Sequence, residues 1–370
     1  MADLREFDGV DAATADGSTA KLEQCVASAW PLREWRDCHA VLAVSGGSDS
    51  IALLRAVDRM KRHSGGSGCL FIAHLNHGMR GEEAAADAAW LESLCRDLAL
   101  PFELGQADVG RVAAAQGDGW EAAARTARYE FLQQTAERLG ARFVATAHTA
   151  DDQAETVLHR IIRGTGLRGL AGIPTRRALS RSVTLVRPLL AVRRREVIQY
   201  LQALGQDFRI DSSNSDSSYT RNRLRNELLP LLREQFNADV DAAVTRLATQ
   251  AAEAQAVVEA IAAGVARACV VFESEPQPAA EAASTSSRRV NRITLRCREL
   301  RGQQPLVVRE VCKLAWKEAG WPLQSMGFSE WQLLASLIAG DSANSRANLP
   351  GNVAACRWMD DLVVECRGLS

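Results

Sequence analysis

Residues 40–54 read AVLAVSGGSDSIALL, and this stretch decides the fold. Its first five residues are apolar without interruption, which is typical of a strand covered on both faces. The glycine pair 46–47 follows and permits backbone conformations that residues with a Cβ resist. An apolar helix is predicted to begin near Ser50, with Ser48 or Asp49 as its N-cap. Because free N–H groups and the helix dipole both favour an anion, the sequence predicts a phosphate site at this turn.

The loop Ser45–Ser50 is not a Walker A loop, since both the GxxxxGK[ST] spacing and its lysine are missing. It is similar to the SGGxDS pyrophosphatase loop, and all five fixed positions match. Enzymes with that loop bind the β- and γ-phosphates of ATP as a leaving pyrophosphate and pass AMP to a carbonyl oxygen of the substrate. The alternative is a glycine turn that only reverses the chain, and such a turn does not require these positions.

Length and composition are those of an ordinary globular protein. The chain has 370 residues, of which 47% are apolar and 24% charged, and this length allows two or three domains. No apolar run approaches the roughly 18 to 20 residues that cross a bilayer, and the first twenty residues lack the features of a signal peptide. We therefore expect a disordered lead-in over 1–20, a cytoplasmic location and no membrane partner.

The nine cysteines form no C-x-x-C pair, and several lie in apolar runs, such as Cys69 before Leu70-Phe71-Ile72. They are predicted to be reduced, buried thiols. Zinc or iron–sulfur ligation is not expected, and no metal ligands are assigned among the side chains.

Charge is distributed unevenly along the chain. Residues 160–225 hold fourteen Arg, no Lys and four acidic residues, so this segment carries a formal charge of +10 although the whole chain carries −1. An excess of Arg inside a neutral protein favours contact with a polyanion such as nucleic acid. The alternative is a solvated basic surface.

Strands and helices alternate after the loop, with further strands predicted at 69–75, 101–104, 142–147 and 183–187. This pattern predicts an α/β fold: a parallel sheet with helices on both faces, of the Rossmann-like nucleotide-binding type. The polar motifs come at the carboxyl ends of the strands, where such sheets bind their ligands.

The remaining boundaries follow from composition. We predict an ATP-binding catalytic domain over 21–235, a long helical connector over 236–272, a disordered linker over 273–289 and a small α+β domain over 290–370. The connector contains an alanine-rich helix predicted over 238–268. Core candidates of the last domain are Trp316, Trp321, Trp331 and Trp358.

Two strand ends carry further polar residues. His74 and Asn76 end the second strand and are predicted to contact the nucleotide, with a hydrogen-bonded turn as the alternative. His148 follows a later strand, and Asp152 and Glu155 lie one helical turn apart beyond it. Their carboxylates are suited to a cationic amine or to Mg²⁺ beside the phosphates, and His148 to proton transfer. A capping box at the start of that helix is the alternative.

A helix over 121–129 places Glu121, Arg125 and Arg128 near one face. A functional interpretation of this group and a surface salt bridge are equally open from spacing alone.

Seven motifs in order resemble those of the tRNA(Ile)-lysidine synthetase family, over about Ala40 to Leu232. They are SGGSDS at 45–50, HLNHGMRGEEAAADA at 74–88, EAAARTARYEFL at 121–132, HTADDQAET at 148–156, RGTGLRGLAGIP at 163–174, RPLL at 187–190 and DSSNSDSSYTRNRLRNELLP at 211–230. The C-terminal part resembles the family's tRNA-binding extension less specifically, mainly through LPGNVAACRWMDDLVVE at 349–365.

The resemblance implies a reaction. Enzymes of this family adenylate the C2 carbonyl oxygen of the wobble cytidine in the CAU anticodon of an isoleucine tRNA, and L-lysine then displaces AMP. The products are lysidine in tRNA, AMP and diphosphate. The implied cofactors are ATP and Mg²⁺, the implied partners are tRNA(Ile) with the CAU anticodon and L-lysine, and a homodimer is left open.

Site roles follow from the matching motif positions. The resemblance implies that the triphosphate is held by Ser45, Gly46, Gly47, Ser48, Asp49 and Ser50, with His74 and Asn76 at the nucleotide. Arg125 would stabilise charge at the α-phosphate, and Asp152 and Glu155 would bind the lysine amine beside His148. The tRNA would be contacted by the segments 164–172 and 221–225 and by the residue before the first of them, with Arg163, Gly164, Gly166, Arg221, Arg223 and Arg225 as the contact residues.

Three rival functions differ in what they require. A tRNA 2-thiolation enzyme shares the ATP loop but normally carries C-x-x-C or paired catalytic cysteines, which this sequence lacks. A small-molecule ligase or amidotransferase with this loop does not need the +10 segment or a further C-terminal domain. A non-catalytic RNA-binding protein would not consume ATP.

Overall fold

The computed structural model describes residues 17–76, 82–107, 120–209, 220–274, 290–323, 325–340 and 345–366. The chain divides into two compact units, residues 1–250 and 251–370. The division falls within a single long helix, Val240–Cys269, which matches the helix predicted over 238–268.

The first unit is built on a six-stranded sheet. Its strands are β1 (Ala40–Ala43), β2 (Leu70–Asn76), β3 (Phe102–Gln106), β4 (Phe143–Ala145), β5 (Arg176–Ala178) and β6 (Thr184–Val186). Their spatial order is β3-β2-β1-β4-β6-β5, and every pair is parallel except β5 with β6. The predicted parallel sheet is therefore confirmed, with one addition: the antiparallel edge strand β5, for which the sequence analysis predicted no strand.

Helices cover both faces of this sheet. They are α1 (Gly17–Ala29), α2 (Leu32–Trp35), α3 (Ser48–Ser64), α4 (Glu82–Asp97), α5 (Trp120–Arg138), α6 (Ala150–Ile162), α7 (Leu167–Leu170), α8 (Arg194–Ala203), α9 (Thr220–Arg223), a π-helical turn (Leu224–Leu228) and α10 (Leu229–Gln235), before the long α11 (Val240–Cys269). Neighbouring strand residues serve opposite cores, since side chains alternate along a strand. Leu42 packs in one core with Ile51, and Val41 packs in the other with Leu132.

Two sequence expectations need correction here. The lead-in predicted over 1–20 is wrong for residues 17–20, which belong to α1; residues 1–16 lie outside the described residues. The prediction of buried cysteines holds for four of the nine: Cys95, Cys269, Cys297 and Cys312. Cys69, which precedes β2, is exposed, and the other four are half-buried: Cys25, Cys38, Cys356 and Cys366. All nine cysteines are free thiols.

The second unit contains a five-stranded antiparallel sheet. Its strands are β7 (Val270–Ser274), β8 (Val290–Arg296), β9 (Arg346–Leu349), β10 (Val353–Trp358) and β11 (Asp361–Cys366), in the order β7-β8-β11-β10-β9. Its own helices are α12 (Cys297–Leu300), α13 (Pro305–Glu318) and α14 (Phe328–Ala339). The predicted α+β character is confirmed. Residues 273 and 274 belong to β7 and not to a linker, and residues 275–289 lie outside the described residues.

Three of the four tryptophans proposed for this core lie in it. Trp316 packs edge-on against Trp321 and Trp331, with ring centroids 4.9 and 5.5 Å away. Trp358 does not, because the strand period directs Val353, Ala355 and Arg357 inward and leaves Trp358 61% exposed. Among the described helices, none is long and apolar enough to cross a membrane.

Candidate active site

The loop after β1 turns sharply into α3. Gly46 has φ +94°, a left-handed conformation that favours glycine, and its carbonyl accepts a 2.9 Å hydrogen bond from the Arg209 N–H. The helix begins at Ser48 with Gly47 as N-cap, so the prediction of a Ser48 or Asp49 cap and a start near Ser50 is wrong. No side-chain cap is present at this helix start, and the N–H groups of the first turn are left for a ligand.

Ser50 braces the loop from inside. Its hydroxyl donates to the Gly47 carbonyl at 2.8 Å and accepts from the Ser45 N–H at 3.2 Å. The Ser45 hydroxyl lies 3.3 Å from the same oxygen. Ser50 is buried, and its hydrogen bonds hold the turn in shape. It also lines the cavity described next.

A cavity of about 550 Å³ opens at this loop. The predicted residues that line it are Ser45, Gly47, Ser48, Asp49, Ser50, His74, Asn76, His148, Asp152, Arg221 and Arg225. The cavity thus brings together the carboxyl ends of three parallel strands and the start of the segment after residue 220. Its lining does not include the other predicted residues, which are Gly46, Arg125, Glu155, Arg163, Gly164, Gly166 and Arg223.

Several residues that line the cavity were not predicted as site residues from the sequence. The charged ones are Asp87, Arg128, Arg194 and Arg209. Arg128 has a usable signal, since it lies one turn from Arg125 on α5. Arg209 contacts the loop through its N–H bond to the Gly46 carbonyl and forms a 3.1 Å ion pair with Asp87 on α4. Both contacts join residues far apart in sequence, which no local pattern reveals.

Asp49 is the carboxylate within the phosphate loop. Burial raises the pKa of Asp49 to about 6, Arg194 opposes this shift, and the charge of Asp152 adds to it. The only hydrogen bond to Asp49 among the described residues is a 3.4 Å contact from the Ser48 hydroxyl. The positive charges near Asp49 among the described residues therefore do not fully offset the cost of burying its ionised carboxylate.

This environment fits Mg²⁺ bound together with ATP. Asp49 and Asp152 both line the cavity beside the loop, and Mg²⁺ usually takes one or two protein carboxylates together with substrate phosphates. Among the described residues, no group of three His, Cys, Asp or Glu side chains could hold a metal by itself. The residues present suit a cation that arrives with the nucleotide.

The His148 imidazole faces the cavity as a neutral ring. Burial lowers the pKa of His148, the Asp152 carboxylate opposes the shift, and Arg187, Arg125 and Arg128 lower the pKa further. Its Nδ1 lies 3.1 Å from the Thr146 hydroxyl. His74 is held in a similar way, with Nδ1 at 2.8 Å from the Val44 carbonyl, to which it donates. Both rings are positioned by the ends of strands.

Asp152 and Glu155 form a buried network with two arginines. Arg221 contacts Asp152 at 3.1 Å and Glu155 at 3.0 Å, and Arg225 contacts them at 3.3 and 2.5 Å. Glu155 is 1% exposed, and Arg221 and Arg225 are its ion-pair partners among the described residues. Burial opposes ionisation of Asp152, but Arg221 and the Thr149 N–H lead the groups that hold its pKa below the usual range.

The capping alternative proves partly correct, in a different register. Asp152 Oδ2 accepts the Thr149 N–H at 2.9 Å and the Thr149 hydroxyl at 3.2 Å, so Asp152 helps to start α6 from within its first turn. Its other oxygen binds the arginines. Asp152 therefore has a structural contact and still faces the cavity.

The remaining predicted residues lie outside the cavity. Arg163 is exposed at the end of α6, and Gly164 and Gly166 follow it. The glycine segment is held in place by Arg160, which donates to the carbonyls of Gly169 and Gly172 at 3.0 and 2.7 Å. Arg223 makes an exposed 3.6 Å pair with Glu227.

Comparison with known proteins identifies the group to which this site belongs. Residues 18–232 match the family described as a PP-loop domain. A tRNA(Ile)-lysidine synthase of Rhodopirellula baltica is 34% identical over 341 residues, which cover 87% of this chain and 85% of that protein. The chain belongs to the tRNA(Ile)-lysidine synthase family.

Other lysidine synthases match mainly the first unit. The protein of Deinococcus radiodurans is 42% identical over 234 residues, or 63% of this chain and 37% of its own length. That of Clostridioides difficile is 38% identical over 207 residues, or 56% of this chain and 44% of its own length. The matched region thus spans less than half of these two relatives.

A solved structure gives the same fold at low identity. The U34-tRNA thiolase NcsA from Methanococcus maripaludis, with its [4Fe-4S] cluster, superimposes with a TM-score of 0.52 at 15% identity. It covers 63% of this chain and 79% of the thiolase. At this identity the likeness extends to the fold alone.

Proposed function

We propose that this protein ligates L-lysine to C2 of the wobble cytidine in the CAU anticodon of tRNA(Ile), with ATP cleaved to AMP and diphosphate. The observation that carries the proposal is a single cavity lined by the SGGSDS loop and by Asp152. A loop suited to a leaving pyrophosphate and a carboxylate suited to a cationic amine face the same space there.

The loop would hold the triphosphate of ATP. Uncapped N–H groups of the first turn of α3, with the hydroxyls of Ser45 and Ser48, are donors for phosphate oxygens. Mg²⁺ held by Asp49 and the phosphates would offset the charge of the departing pyrophosphate. Arg128 lines the cavity whereas Arg125 does not, so we assign charge stabilisation at the α-phosphate to Arg128 in place of Arg125.

The buried carboxylates would bind the lysine amine. In the structure, the carboxylates of Asp152 and Glu155 each bind the guanidinium groups of Arg221 and Arg225, which supports the proposal of a cation site here. An ammonium group of L-lysine would compete with Arg221 and Arg225 for the same oxygens. The amine that attacks C2 must lose its proton, and His148 faces the cavity in the neutral form that is able to accept one. Bound phosphates would offset the nearby arginines and raise the pKa of His148.

Thiolation is the less favoured reaction. Burial raises the pKa of Cys95 and of Cys312 to about 12, so neither thiol is activated as a nucleophile. Among the residues that the structure describes, no cysteine lines the cavity.

The experiment incubates the purified protein with ATP, Mg²⁺, labelled lysine and tRNA transcripts. We expect label only in the CAU-anticodon isoleucine tRNA, and none in a methionine tRNA with the same anticodon. Asp49→Ala is expected to abolish AMP release and to keep tRNA binding, whereas the exposed control Glu92→Ala keeps both. AMP release without tRNA would instead indicate a small-molecule ligase, and tRNA binding without ATP consumption would indicate a non-catalytic RNA-binding protein.

A further inference from the structure

Three arginines surround the Tyr129 side chain. The Arg177 guanidinium carbon lies 4.4 Å from the centre of the Tyr129 ring and that of Arg125 lies 5.1 Å from it. Arg187 donates through Nη2 to the Tyr129 hydroxyl at 3.4 Å. We call Tyr129 and these three arginines the Tyr129 cluster. Its members come from α5, from the edge strand β5 and from the end of β6, so the cluster exists only in the folded sheet.

Among the described residues, the positive charge of the cluster is not compensated by an ion pair. Within the residues that the structure describes, no carboxylate forms an ion pair with any of its three arginines. The neighbouring Arg176 differs, since it pairs with Glu34 at 2.5 Å. Burial lowers the pKa of Arg187, and the positive charges of Arg177 and Arg125 lower it further, so a bound anion would relieve their repulsion.

Arg187 is the buried member of the cluster. It is 1% exposed, and its Nη1 donates to the Pro174 carbonyl at 2.6 Å, but its Nε has no hydrogen-bond partner among the described residues. Arg177 and Arg125 are exposed. The cluster therefore combines a fixed, buried cation with two guanidinium groups that a ligand reaches from solvent.

The cluster also lies close enough to the cavity to act on it. Arg187 and Arg125 are among the groups that lower the pKa of His148, which lines the cavity. The Tyr129 phenol responds in the same way: burial opposes ionisation, yet Arg125, Arg187 and Arg177 together lower its pKa. Positive potential extends from the cluster towards the reacting groups.

We infer that the Tyr129 cluster binds one phosphodiester group of the RNA substrate, outside the ATP cavity. Guanidinium groups bind phosphate oxygens through paired hydrogen bonds, and here two exposed ones lie 4.4 and 5.1 Å from the centre of the same ring. Arg177 and Arg125 contact the phosphate, and Arg187 is a positioning residue that holds the ring and adds charge. The inference rests on the proposed function for the choice of RNA, and a phosphate of ATP is the other source of the same chemistry.

The first test measures the affinity of the full chain for the CAU-anticodon isoleucine tRNA, without ATP or lysine, over a series of salt concentrations. Arg177→Gln is compared with Arg181→Gln, which removes the same charge from an exposed turn of the same basic segment. We expect Arg177→Gln to weaken binding about tenfold and to reduce the salt dependence by about one phosphate contact. Arg181→Gln should change binding less than twofold. Equal affinities of the two variants would overturn the inference.

The second test locates the phosphate. Anticodon stem-loop RNAs carry one uncharged methylphosphonate at each backbone position in turn. One position should weaken binding of the unsubstituted protein and of Arg181→Gln about tenfold, and binding of Arg177→Gln less than twofold. If every position affects the three proteins equally, no phosphate contacts the cluster. Matching thermal unfolding of the two variants shows that both are folded.

The third arm separates the two phosphate sources. The KM for ATP should be the same for Arg177→Gln and Arg181→Gln. A raised KM for ATP with unchanged tRNA affinity would assign the cluster to the nucleotide and overturn the inference. Because RNA binding is measured without turnover, a protein that binds RNA through the cluster but incorporates no lysine would contradict the proposed function alone.

Discussion

Arg221 and Arg225 differ from Arg177 and Arg187 in what they contact, although all four belong to one basic segment. The first two bind Asp152 and Glu155, carboxylates some seventy positions earlier in the chain. The second two have no carboxylate partner among the described residues and surround Tyr129 instead. The comparison teaches that a local excess of Arg does not locate a binding surface, because acidic residues elsewhere neutralise part of it.

The largest expected effect comes from removing charge in the paired region. Glu155→Gln leaves Arg221 and Arg225 with one carboxylate between them, so we expect the free energy of unfolding to fall by about 2 to 3 kcal/mol. This value allows for the arginines, whose side chains are 34% and 28% exposed. Urea denaturation measures the loss. Diphosphate release should persist, because adenylation of the cytidine does not need lysine. Lysine incorporation should fail, together with release of the AMP that lysine displaces.

Glu227→Gln is the matched control for that prediction. Glu227 pairs with Arg223 at 3.6 Å, and both side chains are more than half exposed. Its loss should change the free energy of unfolding by less than about 0.5 kcal/mol. Equal effects of the two substitutions would show that the buried network is not a structural unit.

The next effect concerns Asp49, a cavity carboxylate with no arginine ion pair among the described residues. Its pKa is raised from 3.8 to about 6, so the folded protein favours the protonated form. Ionisation of Asp49 therefore costs stability that is fully present below about pH 4 and lost as pH rises through 6. Asp49→Asn should raise the free energy of unfolding by about 2 kcal/mol at pH 8 and leave it unchanged near pH 4.

Denaturation curves for Asp49→Asn at the two pH values check this sign. A variant less stable than the unsubstituted protein at pH 8 would mean that an unseen positive charge compensates Asp49. The same variant should lose ATP cleavage, because asparagine carries no charge for Mg²⁺. Stability gained where activity is lost is the expected mark of a ligand-binding carboxylate.

The smallest effect is expected in the unpaired region. Arg177→Gln removes repulsion within the Tyr129 cluster and breaks no ion pair among the described residues, so the free energy of unfolding should change by less than about 0.5 kcal/mol, in either direction. Arg225→Gln should lower it by more than 1 kcal/mol, since Glu155 is left with a single partner. Thermal unfolding of the pair separates arginines that support the fold from those kept for a ligand.

Sequence patterns succeeded where the physical cause is local. The strand, glycine pair and helix at 40–54 specify their own turn, and the cavity lies where that turn predicts a phosphate. The predicted N-cap of α3 was wrong because Gly47 takes that position, so Ser48 and Asp49 both lie in the first turn of the helix. The prediction that Trp358 lies in the core was wrong, because it considered only that the residue is apolar and not which face of the strand it occupies.

The carboxylates show what spacing alone leaves open. Asp152 and Glu155 were recognised as a cation site, and the capping alternative was recognised too. One oxygen of Asp152 accepts from Thr149 at the start of α6, and the other binds Arg221 and Arg225, so the cap exists in a different register and the role in binding a ligand stays a prediction. Spacing on one helix does not reveal which arginine fills the site, because the partners come from a separate segment.

By itself, then, the sequence determined the parallel sheet, the phosphate loop at the end of β1 and the family, since these depend on residues adjacent in the chain and on motifs read in order. Only the tertiary structure decided which arginines are neutralised and which are not. The reason is physical: the charge on a guanidinium group is felt over several ångströms of space, so its effect depends on the carboxylates and rings that the fold brings near, whatever their distance along the chain.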